Sequence, residues 1–142
     1  MKAVVDTNVI VSALLNTNGT PAKILSLILN GSIKIQYDNR IIFEYIDVLS
    51  RKEFCFPKEM IDDLIDFIKH DGEFVNAEYM KRKFSDETDR KFYEVYSSAG
   101  VAVGLAEHTI EAKYLITGNI KHFPKEDAIV TPKDFMQIYG NF

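Results

Sequence analysis

Short apolar runs alternate along this chain with longer segments in which apolar residues recur every three or four positions. The runs are typical of strands, because a strand that is buried on both faces is apolar throughout. The runs that predict strands are Ala3–Val5, Ile33–Tyr37, Tyr114–Thr117 and Ala128–Val130, with Glu73–Asn76 as a weaker candidate.

The longer segments predict helices, each with one apolar stripe that faces a core. Proline, glycine and short polar residues mark where several of them begin or end. The predicted helices are Val9–Leu15, a helix from Pro21 to Asn30-Gly31 with Thr20 as N-cap, a helix capped by Asp38 or Asn39, a helix around Ile61–Ile68 that ends at Asp71-Gly72, a helix that begins in Ser85–Asp89, and Pro132–Tyr139. Strands that alternate with helices in this way predict one three-layer α/β/α domain over residues 1–142, with a mostly parallel central sheet.

The composition is that of a folded domain. The hydrophobic fraction of 46% and the charged fraction of 27% are ordinary globular values and argue against disorder. Cys55 is the one cysteine, which excludes an internal disulfide or a multi-cysteine metal site and fits a reducing compartment. Asp6 and Asn8 interrupt any signal-peptide core, and no segment approaches the ~20 apolar residues of a membrane span. We therefore expect a cytoplasmic protein with no membrane partner.

The formal net charge of −4 weighs against a nucleic-acid partner, because phosphate contacts normally need a basic surface. Clustered carboxylates that hold divalent cations would also lower the net charge, so the total alone decides little.

Four acidic residues and one amide form a candidate metal site. Asp6 and Asn119 follow predicted strands, whose carboxyl ends meet at the ligand-binding edge of a parallel sheet. Glu44, Asp86 and Asp89 lie on helices that can reach the same edge. Oxygen ligands of this kind suit Mg²⁺ or Mn²⁺, and such ions promote hydrolysis of a phosphodiester.

Each of these residues also has a simpler interpretation. Asp6 could end its strand as an Asx-turn, Asp86 could be an N-cap, Glu44 could be a solvated flank residue, and Asn119 could serve only turn chemistry. Asp89 is harder to explain in this way, because it continues the inward apolar stripe of its helix and a buried carboxylate needs a partner.

Four stretches together resemble the PIN domain family over nearly the whole chain. They are Val4–Ser12, the lone helical Glu44, Asp86–Phe92 and Leu115–Pro124. The likeness is closest to the toxin components of bacterial toxin-antitoxin pairs, similar to VapC toxins. The resemblance implies a parallel sheet flanked by helices, an acidic pocket that binds Mg²⁺ or Mn²⁺, and endoribonuclease activity that an antitoxin protein blocks.

The resemblance also suggests a role for each acidic residue. Asp6 matches the first aspartate of the family, Glu44 the helical glutamate and Asp89 the third acid, which leaves Asp86 as an accessory ligand or a cap. Asn119 falls where many members have a fourth acid. Its amide oxygen can ligate a cation or hold a water but brings no charge, which puts the affinity for a second metal in question.

A second departure from the family is the stretch Gly100–Lys113, which looks like additional sequence. Leu105, Ala106 and Ile110 have helical spacing there, but the glycines weaken a helix. If this stretch repositions the preceding helix, it also affects where Asp89 lies.

Small polar and basic residues surround the predicted site. Thr7, Asn8 and Ser12 match pocket-lining residues of the family, with capping of the first helix as the alternative. Cations that could contact RNA are Arg51, Lys52, Lys81, Arg82, Lys83, Lys121 and His122. The run of residues 81 to 83 is close enough to Asp86 to sit at the rim of the pocket. Ordinary solvated charge is the simpler interpretation of each, and for His122 it is a surface or capping role.

Other function classes fit less well. A phosphatase with Asp6 as nucleophile would carry a second aspartate where this chain has Asn8, and a response-regulator receiver would need paired early acids. An inactive PIN-like binding or assembly module is the main alternative, favoured by Asn119. We therefore expect a metal-dependent endoribonuclease with RNA and a cognate antitoxin as partners, and with a homodimer left open.

Overall fold

The computed structural model describes residues 1–99 and 113–140 and forms an α/β fold around one parallel sheet. In chain order the described strands and helices are β1 (Lys2–Val5), α1 (Thr7–Leu15), α2 (Thr20–Leu29), β2 (Lys34–Tyr37), α3 (Asn39–Leu49), α4 (Lys58–Asp71), β3 (Glu73–Phe74), α5 (Arg90–Ser98), β4 (Lys113–Ile116), β5 (Ile129–Val130) and α6 (Pro132–Tyr139). Short 3₁₀ turns at Glu87–Asp89 and Ile120–His122 precede α5 and follow β4.

All strand pairs in the described part of the chain are parallel, in the order β3-β2-β1-β4-β5. β1 lies in the middle and pairs with β4 along its whole length, with Val5 opposite Ile116. The backbone N–H of Asp6 continues this ladder by donating to the Ile116 carbonyl at 2.9 Å. The residues that follow β1 and β4 are therefore held next to each other at the carboxyl edge of the sheet.

The helices form two groups that give a three-layer α/β/α architecture. α5 contacts β1, β2 and β4, and α3 and α4 also contact β2. In the other group, α2 contacts both α1 and α6, and α6 contacts β5. The predicted parallel sheet with helices around it is confirmed. Among the described residues, no helix has both the length and the apolar character needed to cross a membrane.

Most predicted elements are present, with small shifts at their ends. α1 begins at Thr7 rather than Val9, because Asp6 already has the extended backbone of an N-cap. Gly19, not Thr20, is the N-cap of α2; Thr20 is the first helical residue, and proline suits either early position. The third strand is shorter than expected and ends at Phe74. The expectation for Gly100–Lys113 lies outside the described residues, apart from Lys113, which starts β4.

The core consists of the inner faces of the helices and the central strands. Its buried aromatic residues include Tyr37, Tyr45, Phe92 and Tyr96. Tyr37 also ties the sheet to the end of α4, because its hydroxyl donates to the Lys69 carbonyl at 3.0 Å.

The chain passes from α4 into β3 at Gly72 with no room for a side chain. A Cβ atom there would lie 2.4 Å from the Ile68 carbonyl oxygen and 2.6 Å from the Ile35 carbonyl oxygen. Both neighbours are backbone atoms of a helix and a strand, so they cannot move aside without distorting those elements. Gly72 is thus required by close packing.

We predict that Gly72→Ala destabilises the fold by about 1–3 kcal/mol, the usual range for overpacking a well-ordered interior. Urea unfolding followed by circular dichroism measures this difference. Gly118→Ala is the matched control, since nothing lies within 4 Å of a Cβ at that position. Equal stabilities of the two variants would contradict the packing argument.

Candidate active site

An acidic cleft of about 240 Å³ lies at the carboxyl edge of the sheet. All five residues predicted to form a metal site line it: Asp6, Glu44, Asp86, Asp89 and Asn119. Thr7 and Asn8 are also among its lining residues, whereas Ser12 is not. The parallel sheet explains the meeting of Asp6 with Asn119, and the packing of α3 and α5 brings the other three acids to the same place.

Asp6 is the most buried of the five, with 4% of its surface exposed. The Thr117 hydroxyl donates to its Oδ2 at 2.7 Å, which fixes the carboxylate across the β1–β4 pair. Burial raises the pKa of Asp6, and the negative charges of Asp89 and Glu44 raise it further, while the bond from Thr117 opposes the shift. This carboxylate is therefore held in a place that disfavours its charge.

Glu44 projects from α3 with both of its oxygens in contact with polar groups. The Thr7 hydroxyl donates to Oε2, and the ammonium of Lys91 lies 2.8 Å from Oε1. The neighbouring Tyr45 is fully buried and donates its hydroxyl to the Val5 carbonyl, one residue before Asp6. Burial raises the pKa of Tyr45 well above its ordinary value, and the charges of Asp6 and Glu44 raise it further. The hydroxyl therefore keeps its proton and continues to donate to the Val5 carbonyl.

Asp89 is buried on the inward stripe of its helix, as its spacing predicted. Its Oδ2 lies 3.1 Å from Nδ1 of His122, which is the partner that a buried carboxylate needs. Burial raises the pKa of Asp89, the charge of Asp86 adds to this, and the bond with His122 opposes it. A surface or capping role was expected for His122. The structure adds another role, because its ring positions the carboxylate of Asp89.

Asp86 caps the 3₁₀ turn that leads into α5. Its Oδ1 accepts from the Thr88 backbone N–H at 2.9 Å and from the Thr88 hydroxyl at 2.7 Å. These bonds lower the pKa of Asp86, which is exposed. The capping interpretation is confirmed, and the same side chain lines the rim of the cleft.

The chain before Asp86 is fastened to α5 by Arg90 and Glu94. The Arg90 guanidinium donates to the Met80 carbonyl and to Glu87, and it lies over the ring of Phe84 at 5.1 Å. The buried Glu94 accepts from the Met80 backbone N–H at 2.8 Å. These contacts hold the irregular segment against the helix and so fix where Asp86 lies.

Asn119 enters the cleft from the turn after β4. Its backbone N–H donates to the Thr117 hydroxyl oxygen at 3.0 Å. Among the described residues, its side chain caps no backbone amide of the following 3₁₀ turn. The backbone of Asn119 thus stabilises the turn, and its amide side chain lines the cleft.

The oxygen donors of the cleft fit a hard divalent cation in kind and charge. Within residues 1–99 and 113–140, no three carboxylate, imidazole or thiol groups converge on one point as they stand. Each buried or half-buried carboxylate instead bonds to its own partner: Thr117, Lys91 with Thr7, or His122. A cation would relieve the mutual repulsion that raises the pKa of Asp6, so the residues fit such an ion.

A basic groove of about 220 Å³ adjoins the acidic cleft, and His122 lines both. Arg82, Lys83 and Lys121 supply its cationic side chains, all three of them exposed. The expectation that the run of residues 81 to 83 lies near the pocket therefore holds for its last two members.

Three contacts of the cleft were not expected from the sequence. Lys91 on Glu44, Thr7 on Glu44 and Thr117 on Asp6 all join residues that are distant along the chain. Lys91 lies within the stretch Asp86–Phe92 that carries the family resemblance. Its ammonium also donates to the Thr88 carbonyl three residues earlier, a local contact that does not predict the pairing with Glu44.

A family model described as PIN domain matches residues 2–121 of the chain. An uncharacterized archaeal protein, MJ1680 of Methanocaldococcus jannaschii, is 32% identical over 151 aligned residues, which cover 100% of this chain and 94% of the relative. No solved structure gives a significant match.

We predict that Asp6→Asn makes the metal-free protein more stable near neutral pH, because the variant removes a buried charge. The pKa of Asp6 is raised above 3.8, so the parent gains stability from this group as the pH falls and loses it as the pH rises through the folded-state pKa. The advantage of the variant should therefore shrink towards about pH 4. Urea unfolding in EDTA between about pH 4 and pH 8 tests this.

The control for the loss of one negative charge is Asp62→Asn, on the exposed face of α4. An Asp6→Asn protein that is less stable than the parent at neutral pH would show that the carboxylate is not under electrostatic strain.

Proposed function

The chain belongs to the PIN domain family, whose members are generally metal-dependent nucleases, and from this premise we propose that it is a metal-dependent endoribonuclease. The observation that carries the proposal is the meeting of Asp6, Glu44 and Asp89 in one cleft from three separate parts of the chain. An acidic cleft of this composition favours chemistry on a phosphate that a cation neutralises.

In the proposed mechanism, Asp6, Glu44 and Asp89 hold Mg²⁺ or Mn²⁺, with Asp86 and Asn119 assisting. An ion held there would lower the pKa of a water and neutralise charge on the phosphate and the leaving oxygen. The chain's other residues prepare the ligands. Thr117 orients Asp6, Thr7 orients Glu44 and His122 orients Asp89, and each does so by a single hydrogen bond that leaves carboxylate lone pairs for other contacts.

The basic groove gives the proposed substrate a place to lie. A phosphodiester chain that enters the acidic cleft can continue past His122 onto Arg82, Lys83 and Lys121. These side chains would hold flanking phosphates without reading bases, as phosphate contacts generally do. The presence of a basic groove beside the acidic cleft supports an RNA substrate, even though the net charge of the chain is −4.

A toxin-like role with a cognate antitoxin is proposed on the resemblance of the four sequence stretches to VapC toxins. An antitoxin would act by covering the cleft or neutralising its ligands. Asn119 brings no charge to the site, which disfavours tight binding of a second ion.

The second candidate is a PIN-like module that has lost activity and serves in binding. Two observations favour it: Asn119 stands where a fourth acid is common in the family, and a cation of the protein already pairs with Glu44. An RNA cleavage assay with added metal separates this module from the nuclease.

We predict that the purified protein cuts a mixed RNA pool with Mg²⁺ or Mn²⁺ and that EDTA stops the cutting. Asp6→Asn should lower the rate by about 100-fold or more, the scale seen when a group that controls the reacting charge is lost. Asp62→Asn, prepared identically, should cut at the parent rate. No cutting by folded protein loaded with either metal would favour the binding module.

We predict that Lys83→Ala with Lys121→Ala weakens the binding of single-stranded RNA without altering the acidic cleft. Fluorescence anisotropy in the Asp6→Asn background measures binding with no cleavage. The plot of log affinity against log salt should become shallower by about 0.7 for each phosphate that the variant no longer neutralises. Lys69→Ala, at an exposed position of α4 that lines neither the cleft nor the groove, is the control and should bind like its parent. An equal weakening in both proteins would remove the groove from the substrate path.

A further inference from the structure

Arg51 and His122 line the acidic cleft, and a further basic residue, Lys91, contacts one of its carboxylates. Lys91 is largely buried, with 14% of its side chain exposed, and its Nζ lies 2.8 Å from Oε1 of Glu44. The same ammonium donates to the Thr88 carbonyl and lies 5.1 Å from the centre of the Phe92 ring. A long side chain held by three contacts is well fixed, at a cost in rotamer entropy that an exposed lysine avoids.

Both oxygens of Glu44 already have a partner. Oε2 accepts from the Thr7 hydroxyl, and Oε1 faces the ammonium of Lys91. An ammonium and a divalent cation repel each other, and both need the lone pairs of the same carboxylate. Tight binding of the ion therefore requires that the ammonium move away from Oε1.

The position of Lys91 has a use in the protein without metal. Burial raises the pKa of Asp6, and the nearby charges of Asp89 and Glu44 raise it further. The ammonium beside Glu44 reduces this repulsion and keeps the side chain of Glu44 turned towards the cleft. An ordinary surface ion pair would contribute little here, since such pairs are screened by water.

We propose that Lys91 is an internal counter-ion that occupies the place of the divalent cation at Glu44, so that metal binding proceeds by exchange of the ammonium for the ion. The proposal rests on the proposed function in one respect: Glu44 must be a metal ligand. After exchange, the Thr88 carbonyl keeps the ammonium at the wall of the cleft, where a substrate phosphate can meet it.

The test is Mn²⁺ binding measured by calorimetry on the folded protein, with no RNA present. Lys91→Met keeps the length of the side chain and removes its charge, and it should tighten Mn²⁺ binding about tenfold, which is ~1.4 kcal/mol. Lys91→Arg keeps the charge and should bind within about threefold of the parent. Lys69→Met removes a remote charge and should differ by less than about twofold, because solvent screens it.

A double-mutant cycle locates the effect at Glu44. In the Glu44→Gln background the ligand is gone, so Lys91→Met should no longer tighten Mn²⁺ binding. A merely structural lysine would give the opposite result, since its removal would let Glu44 move and would weaken binding or leave it unchanged. Either of those results in the Lys91→Met protein would overturn the proposal while leaving the nuclease function intact.

A second measurement needs only the parent fold. The ¹³Cε signal of Lys91, assigned by its absence from the Lys91→Arg spectrum, should shift in step with Mg²⁺ saturation as the ammonium leaves Glu44. A signal that stays still while the protein saturates with Mg²⁺ would overturn the exchange. A parent that binds neither Mn²⁺ nor Mg²⁺ would overturn both this proposal and the metal-dependent function.

Discussion

Parallel pairing of β1 with β4 is the constraint on which the cleft depends. Val5 lies opposite Ile116, so the chain leaves the sheet at Asp6 and at Thr117 side by side. The bond from the Thr117 hydroxyl to Asp6 exists because of that register. A shift of one residue would turn the buried side chains of either strand to the other face, so the hydrophobic core and the carboxylate of Asp6 are positioned by the same pairing.

Gathered carboxylates oppose folding, and the structure shows how this chain accommodates them. Each one receives a different partner: a hydroxyl for Asp6, a hydroxyl and an ammonium for Glu44, and an imidazole for Asp89. These partners reduce the repulsion without removing it, and burial together with the charges of Asp89 and Glu44 keeps the pKa of Asp6 raised. Residual strain of this kind is typical of sites that bind an ion.

The sequence predicted those parts of the structure that depend on local periodicity. The end of β1 just before Asp6, the inward position of Asp89 and the cap at Asp86 all follow from spacing over a few residues. The partners of the acids could not be predicted in this way. Lys91 reaches Glu44 only because α5 packs beside α3, and the angle between two helices is set by side chains along the whole contact. Gly72 is a similar case, since its need for space appears only when β2 and α4 are in place.

The net charge of −4 shows why a total says little about a partner. The acids of the cleft contribute to that total, yet an ion bound by them would present positive charge to a phosphate. Beside them, Arg82, Lys83 and Lys121 form a groove whose local charge is opposite to that of the chain. Phosphates respond to charge within about 10 Å at ordinary ionic strength, so the local charge of this groove matters more to a nucleic acid than the net charge of the chain. The turn at Ile120–His122 joins the two surfaces, because it carries both Lys121 of the groove and the histidine that positions Asp89.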